Sequence, residues 1–163
     1  MTMRLIISAA AAAYIVAAGS ALAQTAKPPQ PVDIEADQME IIDADKQAVF
    51  RGNVDATRGG TNLKAEEMTV FYADIKNADG TTRTDATLIK AKRAVTITTK
   101  KEVITGDWAD IDVQKNTLVV GGNVKLVQGA TVLQGKELHA DLNTNKIQMT
   151  GGRVKGSFLP SQK

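Results

Sequence analysis

The sequence has no cysteine and, in 163 residues, only four prolines, one tryptophan and one histidine. Without cysteine there is no disulfide and no thiolate, so stability must come from packing and backbone pairing. The prolines stand at 28, 29, 31 and 160, and none interrupts the chain from Val32 to Leu159. That distribution suits a backbone whose N–H groups nearly all serve a sheet ladder, because proline lacks the donor. His139 has no cysteine to join it, and a zinc site needs four N, S or O donors, so no metal or other cofactor is expected. Past residue 23, serine occurs only at 157 and 161, which leaves no basis for a Ser-His-Asp triad. The expectation is a protein that is not an enzyme. An excess of one charge is missing too: beyond Arg4 there are 19 Lys and Arg against 18 Asp and Glu. A nucleic-acid partner, which calls for a basic surplus, is not expected.

The one long apolar run, "LIISAAAAAYIVAA" (5–18), follows Arg4 and precedes "GSALA". A positive start, a run of this length and small residues at Ala21 and Ala23 predict a signal peptide over 1–23, cleaved before Gln24. The alternative, a retained membrane anchor, calls for about 20 apolar residues. "QTAKPPQP" (24–31) reads as an extended leader, 32–159 as one domain and 160–163 as a tail.

Apolar and polar residues alternate at period 2 through most of that domain, as in "VDIEA", "MTVFY", "WADIDV" and "NVKLV". Turn signals such as "DADK", "NADG" and "NTN" separate the runs, and no long segment has helical period. The class is all-β. The runs also repeat. Ile34, Leu63, Ile104 and Leu133 form one column, and a small residue follows two places on, at Ala36, Ala65, Gly106 and Gly135. Met39, Met68, Ala109 and Leu138 form a third column, and Ile41, Val70, Ile111 and Ala140 a fourth. Stacked units of about 30 residues sharing one core are predicted, with the small residues at corners. An insertion around "IKNADGTTRTDAT" predicts a longer hairpin or loop; a simple β-sandwich remains an alternative.

Val32, Ile34, Met39, Ile41, Phe50, Val54, Leu63, Met68, Val70, Val95, Ile97, Ile104, Ile111, Val120, Val124, Leu138 and Met149 share the apolar parity of their strands. These residues either fill a closed core or line a trough. Only five aromatic residues lie beyond the signal segment, so few large groups are available to plug the interior.

The opening "PVDIEAD", the spaced phrases "FRGNV" and "VGGNV", and the run "VITGDWADIDVQKNTLVVGGNVKLVQGATVLQGKELHADL" together resemble the OstA-like periplasmic family of lipopolysaccharide transport. The resemblance spans about residues 31–159. It implies a twisted, open β-jellyroll of many short antiparallel strands, without enzymatic activity. It further implies a periplasmic bridge that takes lipopolysaccharide from an inner-membrane transporter complex with its anchored OstA-like subunit. The lipid would pass to an outer-membrane translocon along copies joined head to tail. The seventeen residues would then line a groove for lipid A acyl chains, with Val32 and Ile34 matching the family's groove positions most directly. The chain departs from the pattern at "AKRAVTI", where Arg93 replaces the expected glycine. A closed-core structural or adhesive exported solenoid, or a membrane-anchored relative in the same pathway, are the alternatives.

Two further features carry expectations. Lys90, Lys92, Arg93, Lys100 and Lys101 form a basic cluster that either meets phosphates or protects a sheet edge. Trp108, on the parity opposite Ala109, is expected to be exposed, as a contact surface or an end cap. Residues 32–80 carry 11 acidic and 5 basic side chains, whereas 81–163 carry 7 and 13.

Overall fold

The structure, a computed structural model, describes residues 32–158. The signal peptide and leader expected over 1–31, and the tail at 160–163, lie outside the described residues. Ten strands follow one another: β1 (Asp33–Glu35), β2 (Gln38–Ile42), β3 (Gln47–Arg58), β4 (Thr61–Lys76), β5 (Thr82–Thr98), β6 (Glu102–Asp112), β7 (Thr117–Gln128), β8 (Thr131–Asp141), β9 (Lys146–Thr150) and β10 (Lys155–Ser157). All their pairings are antiparallel, in the order β1-β3-β4-β5-β6-β7-β8-β10, with β2 also on β3 and β9 also on β8. Sequence order is therefore axial order: the chain zigzags forward one strand at a time. The acidic first half builds the end with β1 and β2, and the basic second half builds the end with β9 and β10.

Each long strand is creased near its middle. On β3, β5 and β7 the crease is a pair of residues with positive φ, Gly52–Asn53, Arg93–Ala94 and Gly122–Asn123, and a fourth such pair, Gly151–Gly152, lies between β9 and β10. Each of the three pairs within strands faces a single residue on the adjoining long strands, and the register shifts there in every long pairing. These are bulges, in which the extra residue bends the strand and adds twist. Because they align, the whole sheet folds along one line. One leaf holds β2, β9 and the strand halves between them; the other holds β1, β10 and their intervening halves. The recurring G-x-V phrases mark this crease.

The leaves close on each other through cross-strand rows set by the pleat. In the β2–β9 leaf, Met39, Phe50, Met68, Ala91, Ala109, Val120, Leu138 and Met149 pair in series. In the β1–β10 leaf, Ile34, Ala56, Leu63, Ile97, Ile104, Leu126 and Leu133 do the same. The columns through Ile34 and Met39 are alternate members of these rows, and the Ile41 column belongs to the neighbouring row through Ala48, Ile89 and Leu118. Residues from both leaves join in one buried cluster, and no charged or polar side chain is buried among the described residues. The small column has a different role from the corner residues expected. The bend itself is made by the positive-φ pairs; a Cβ at Gly106 would instead strike Val120, and one at Gly135 would strike Met149, from the facing leaf. Small residues there let the leaves approach beside the crease.

The insertion forms a hairpin: β4 and β5 run on together through Lys76 and Thr82, beyond the rim of the sheet. Its base is pinned to the 3-10 turn Asp43–Asp45. Tyr72 donates its hydroxyl to Asp43 (3.0 Å), and Lys46 pairs with Asp74 at 3.2 Å.

Candidate functional site: an apolar groove between the leaves

Away from the crease the leaves diverge, and the space between them is open. Two cavities, about 490 and 370 Å³, occupy it and share Thr61, Leu63, Ile111 and Leu142 as lining. They are thus two stretches of one groove running along the stack. Toward the β1 end the walls are Val32, Ala56, Met68 and Ile89. Toward the β9 end they are Ile97, Ile104, Leu118, Ala140 and Ile147. The groove is open for a packing reason: its walls are aliphatic residues and alanines, and the core aromatic Phe50 belongs to the crease-side row.

The mouth is polar. Arg58, Thr99, Lys101, Glu102 and Gln128 lie on the lip of the β1–β10 leaf, and Asn116, Asp141 and Asn145 on the other. The Asp141 carboxylate accepts the backbone N–H groups of Asn143 (2.9 Å) and Thr144 (3.2 Å). The Thr144 N–H above all, then that of Asn143, holds its carboxyl below the usual carboxylate range. Asp112 is likewise held down, first by the Lys115 N–H (2.9 Å). These carboxylates fix the turns of the rim. His139 lies 2.5 Å from a Glu137 carboxylate oxygen, exposed on the outer face. No cluster of three or more His, Asp or Glu suited to a metal occurs among the described residues.

Residues 33–146 match the family model described as "LptA/(LptD N-terminal domain) LPS transport protein". The chain belongs to the LptA/LptD N-terminal domain family of LPS transport proteins. An uncharacterised protein of Rhizobium meliloti, R00383, is 31% identical over 137 residues, covering 82% of this chain and 74% of that protein. The crystal structure of LptH from Pseudomonas aeruginosa superimposes with a TM-score of 0.68 at 19% identity, over 80% of this chain and 96% of that one. At that identity the likeness establishes the fold alone: the open jellyroll expected from the sequence.

Within this LptA/LptD-family domain, the residues expected to face the groove fall into four groups. Val32, Leu63, Met68, Ile97, Ile104 and Ile111 line it. Val54, Val95, Val120, Val124 and Leu138, each 0–1% exposed, with Phe50 at 9%, are packed into the closed core along the crease, away from the opening. Ile34, Val70 and Met149 are half-buried against that core. Met39 and Ile41, on the right parity, are 62% and 60% exposed because β2 is an edge strand among the described residues. Parity reports the side of a strand, whereas distance from the crease decides between core and groove.

The sequence reading missed Ala56, Ile89, Val113, Leu118, Ala140, Leu142 and Ile147 as groove lining. Leu118 and Ala140 stand two residues from Val120 and Leu138, so the same alternation carried the signal. Leu142 and Ile147 flank a turn and carried none.

Two other expectations are corrected. The five-residue basic cluster is divided. Lys90 pairs with Asp110 (3.5 Å), and Arg93 with Glu66 and Glu67 (both 3.2 Å), on the outer face, with exposed Lys92 two residues from Lys90 on that same face. Lys100 and Lys101 lie on the β5–β6 turn at the groove mouth. Trp108 is half-buried, its ring lying over Gly121 of β7, where a Cβ would overlap the indole. Glycine at 121 exists for that contact.

Proposed function

We propose that this chain is a periplasmic bridge of lipopolysaccharide transport. It takes the lipid from the inner-membrane export complex, holds the acyl chains between its leaves and hands them to the outer-membrane translocon through copies joined end to end. The observation that carries this reading is the continuous aliphatic groove in a family of LPS transport proteins. LptH, the solved structure of the same fold, is described as the periplasmic component of a lipopolysaccharide transport device. Each methylene withdrawn from water contributes about 0.8 kcal/mol without directional chemistry, so an acyl chain can slide between like grooves at little cost. No catalytic group enters this scheme.

Leu142 is 48% exposed and borders both stretches of the groove. A photoreactive residue there should capture lipopolysaccharide in cells, while one at Lys125, on the outer face of β7, should not. Equal capture at both sites, or none at Leu142, rejects the reading.

A further inference from the structure

The two lips of the groove differ in charge. On the β1–β10 leaf, the β3–β4 and β5–β6 turns lie side by side, because Asn62 pairs with Thr98 and Leu63 with Ile97. The first turn brings Arg58 to the mouth and the second Lys101, with Lys100 beside it on the same turn. All three are exposed. The Lys100 chain runs back over the first turn, its Cε 3.5 Å from where a Cβ on Gly60 would stand. None of the three has an ion-pair partner among the described residues.

Carboxylates near the opening do not neutralise this lip. Glu102 and Asp141 are the two that line it. Asp141 lies on the facing leaf and is occupied by the N–H groups of its own turn. Glu102 is half-buried and makes no ion pair with the three cations. Three like charges therefore stand together beside an apolar trough, about where its two stretches meet at Thr61. Their mutual repulsion is unfavourable unless an anion is placed among them. An anion attached to a chain lying in the groove meets that requirement.

We propose that Arg58, Lys100 and Lys101 form a headgroup site, selecting amphiphiles whose apolar chain fills the groove and whose phosphate ester rests on this lip. The proposal rests on the groove reading above and adds the residues that choose the headgroup. Arg58 presents a planar fork suited to two phosphate oxygens, and the lysines act as mobile point charges. Screening over about 8 Å at physiological ionic strength makes the selection salt-sensitive.

The test compares dodecyl phosphate with dodecyl maltoside, both below their micelle concentrations, on the purified chain and on Arg58→Gln/Lys100→Gln/Lys101→Gln. Inorganic phosphate alone serves as a third probe. The wild type should bind dodecyl phosphate at least tenfold more tightly than the maltoside, and inorganic phosphate far more weakly than either. The triple variant should lose that preference while its maltoside affinity changes by less than twofold. Arg58→Lys/Lys100→Arg/Lys101→Arg should keep the preference. Maltoside binding with no phosphate preference in the wild type, or equal losses for both amphiphiles in the triple variant, overturns the headgroup site and leaves the groove standing. Tight binding of inorganic phosphate alone overturns the coupling of lip to groove. Failure of both amphiphiles to bind the wild type overturns the groove reading and this site with it.

Discussion

Asn53 donates its side-chain amide to Asp37 at 2.8 Å across the crease, and Asn123 repeats the contact with Asp107 at 3.2 Å. At the corner between them, Arg93 and Ala94 occupy the positions of Gly and Asn, at φ 64° and 51°. A left-handed residue other than glycine costs about 1–2 kcal/mol, which exposed ion pairs such as Arg93–Glu66 offset only in part. Arg93→Gly with Ala94→Asn should therefore raise stability by about 1 kcal/mol, or roughly 4 °C in Tm. Calorimetry would show it; an unchanged or lower Tm contradicts the account of the crease.

Gly121→Ala should destabilise the domain by about 1–3 kcal/mol by displacing the indole that lies over it. Since Trp108 is the only tryptophan, its emission should shift to the red in the folded variant. A destabilised variant with unshifted emission would mean that the strain was taken up elsewhere.

Core and groove should respond differently to substitution. Leu138, packed along the crease, is 0% exposed, so Leu138→Ala should cost about 2–5 kcal/mol. Leu142→Asp, at the mouth, should change stability by less than about 1 kcal/mol yet lower affinity for lipopolysaccharide at least tenfold. Denaturant titration and lipid binding on the same preparations separate the two effects. Normal lipid binding by folded Leu142→Asp would remove that residue from the groove.

Acid should loosen the rim. Asp141 and Asp112 have carboxyl groups held below their ordinary value by turn N–H groups in the folded chain. Such groups bind fewer protons folded than unfolded, so their contribution is complete above the unfolded value of about 4 and is lost as pH falls through the folded one. Asp141→Asn should lower stability at pH 7 and flatten its dependence on pH below about 4. Equal slopes for variant and wild type would mean that the turn does not feel the charge.

Among the described residues, the edge strands lie at opposite ends and carry opposite charge: Asp33 and Glu35 on β1, Lys155 on β10. Unpaired edges template further strands, and a contact between unlike ends need not close. Light scattering should show a ladder of sizes that shrinks at high salt, weakens in Lys155→Glu and recovers when Lys155→Glu is mixed with Glu35→Lys. A monomer at high concentration and low salt excludes the end-to-end bridge.

Much of the architecture was legible. Period 2 marked the strands, and the repeat marked the stacking, since the columns through Ile34, Met39 and Ile41 are alternate members of cross-strand rows. The longer hairpin at 75–87 followed from the break in spacing. The groove was legible only in part. Alternation put Val120 and Ile111 on one face alike, yet Val120 is sealed at 0% exposure and Ile111 borders the opening.

The sequence by itself determined the stack of strands, its inward parity and the charge difference between its halves, because these depend on residue order and on the pleat; the antiparallel pairing came from the family resemblance. Only the tertiary structure decided where the sheet creases, how far the leaves part, and which aliphatic residues are core or groove wall. It also brought Arg58 beside Lys100 and Lys101 and carried Lys90 and Arg93 to the other face. Those outcomes depend on the distance between leaves and on the adjacency of turns far apart in the chain. Alternation encodes a side of a strand and has no term for either.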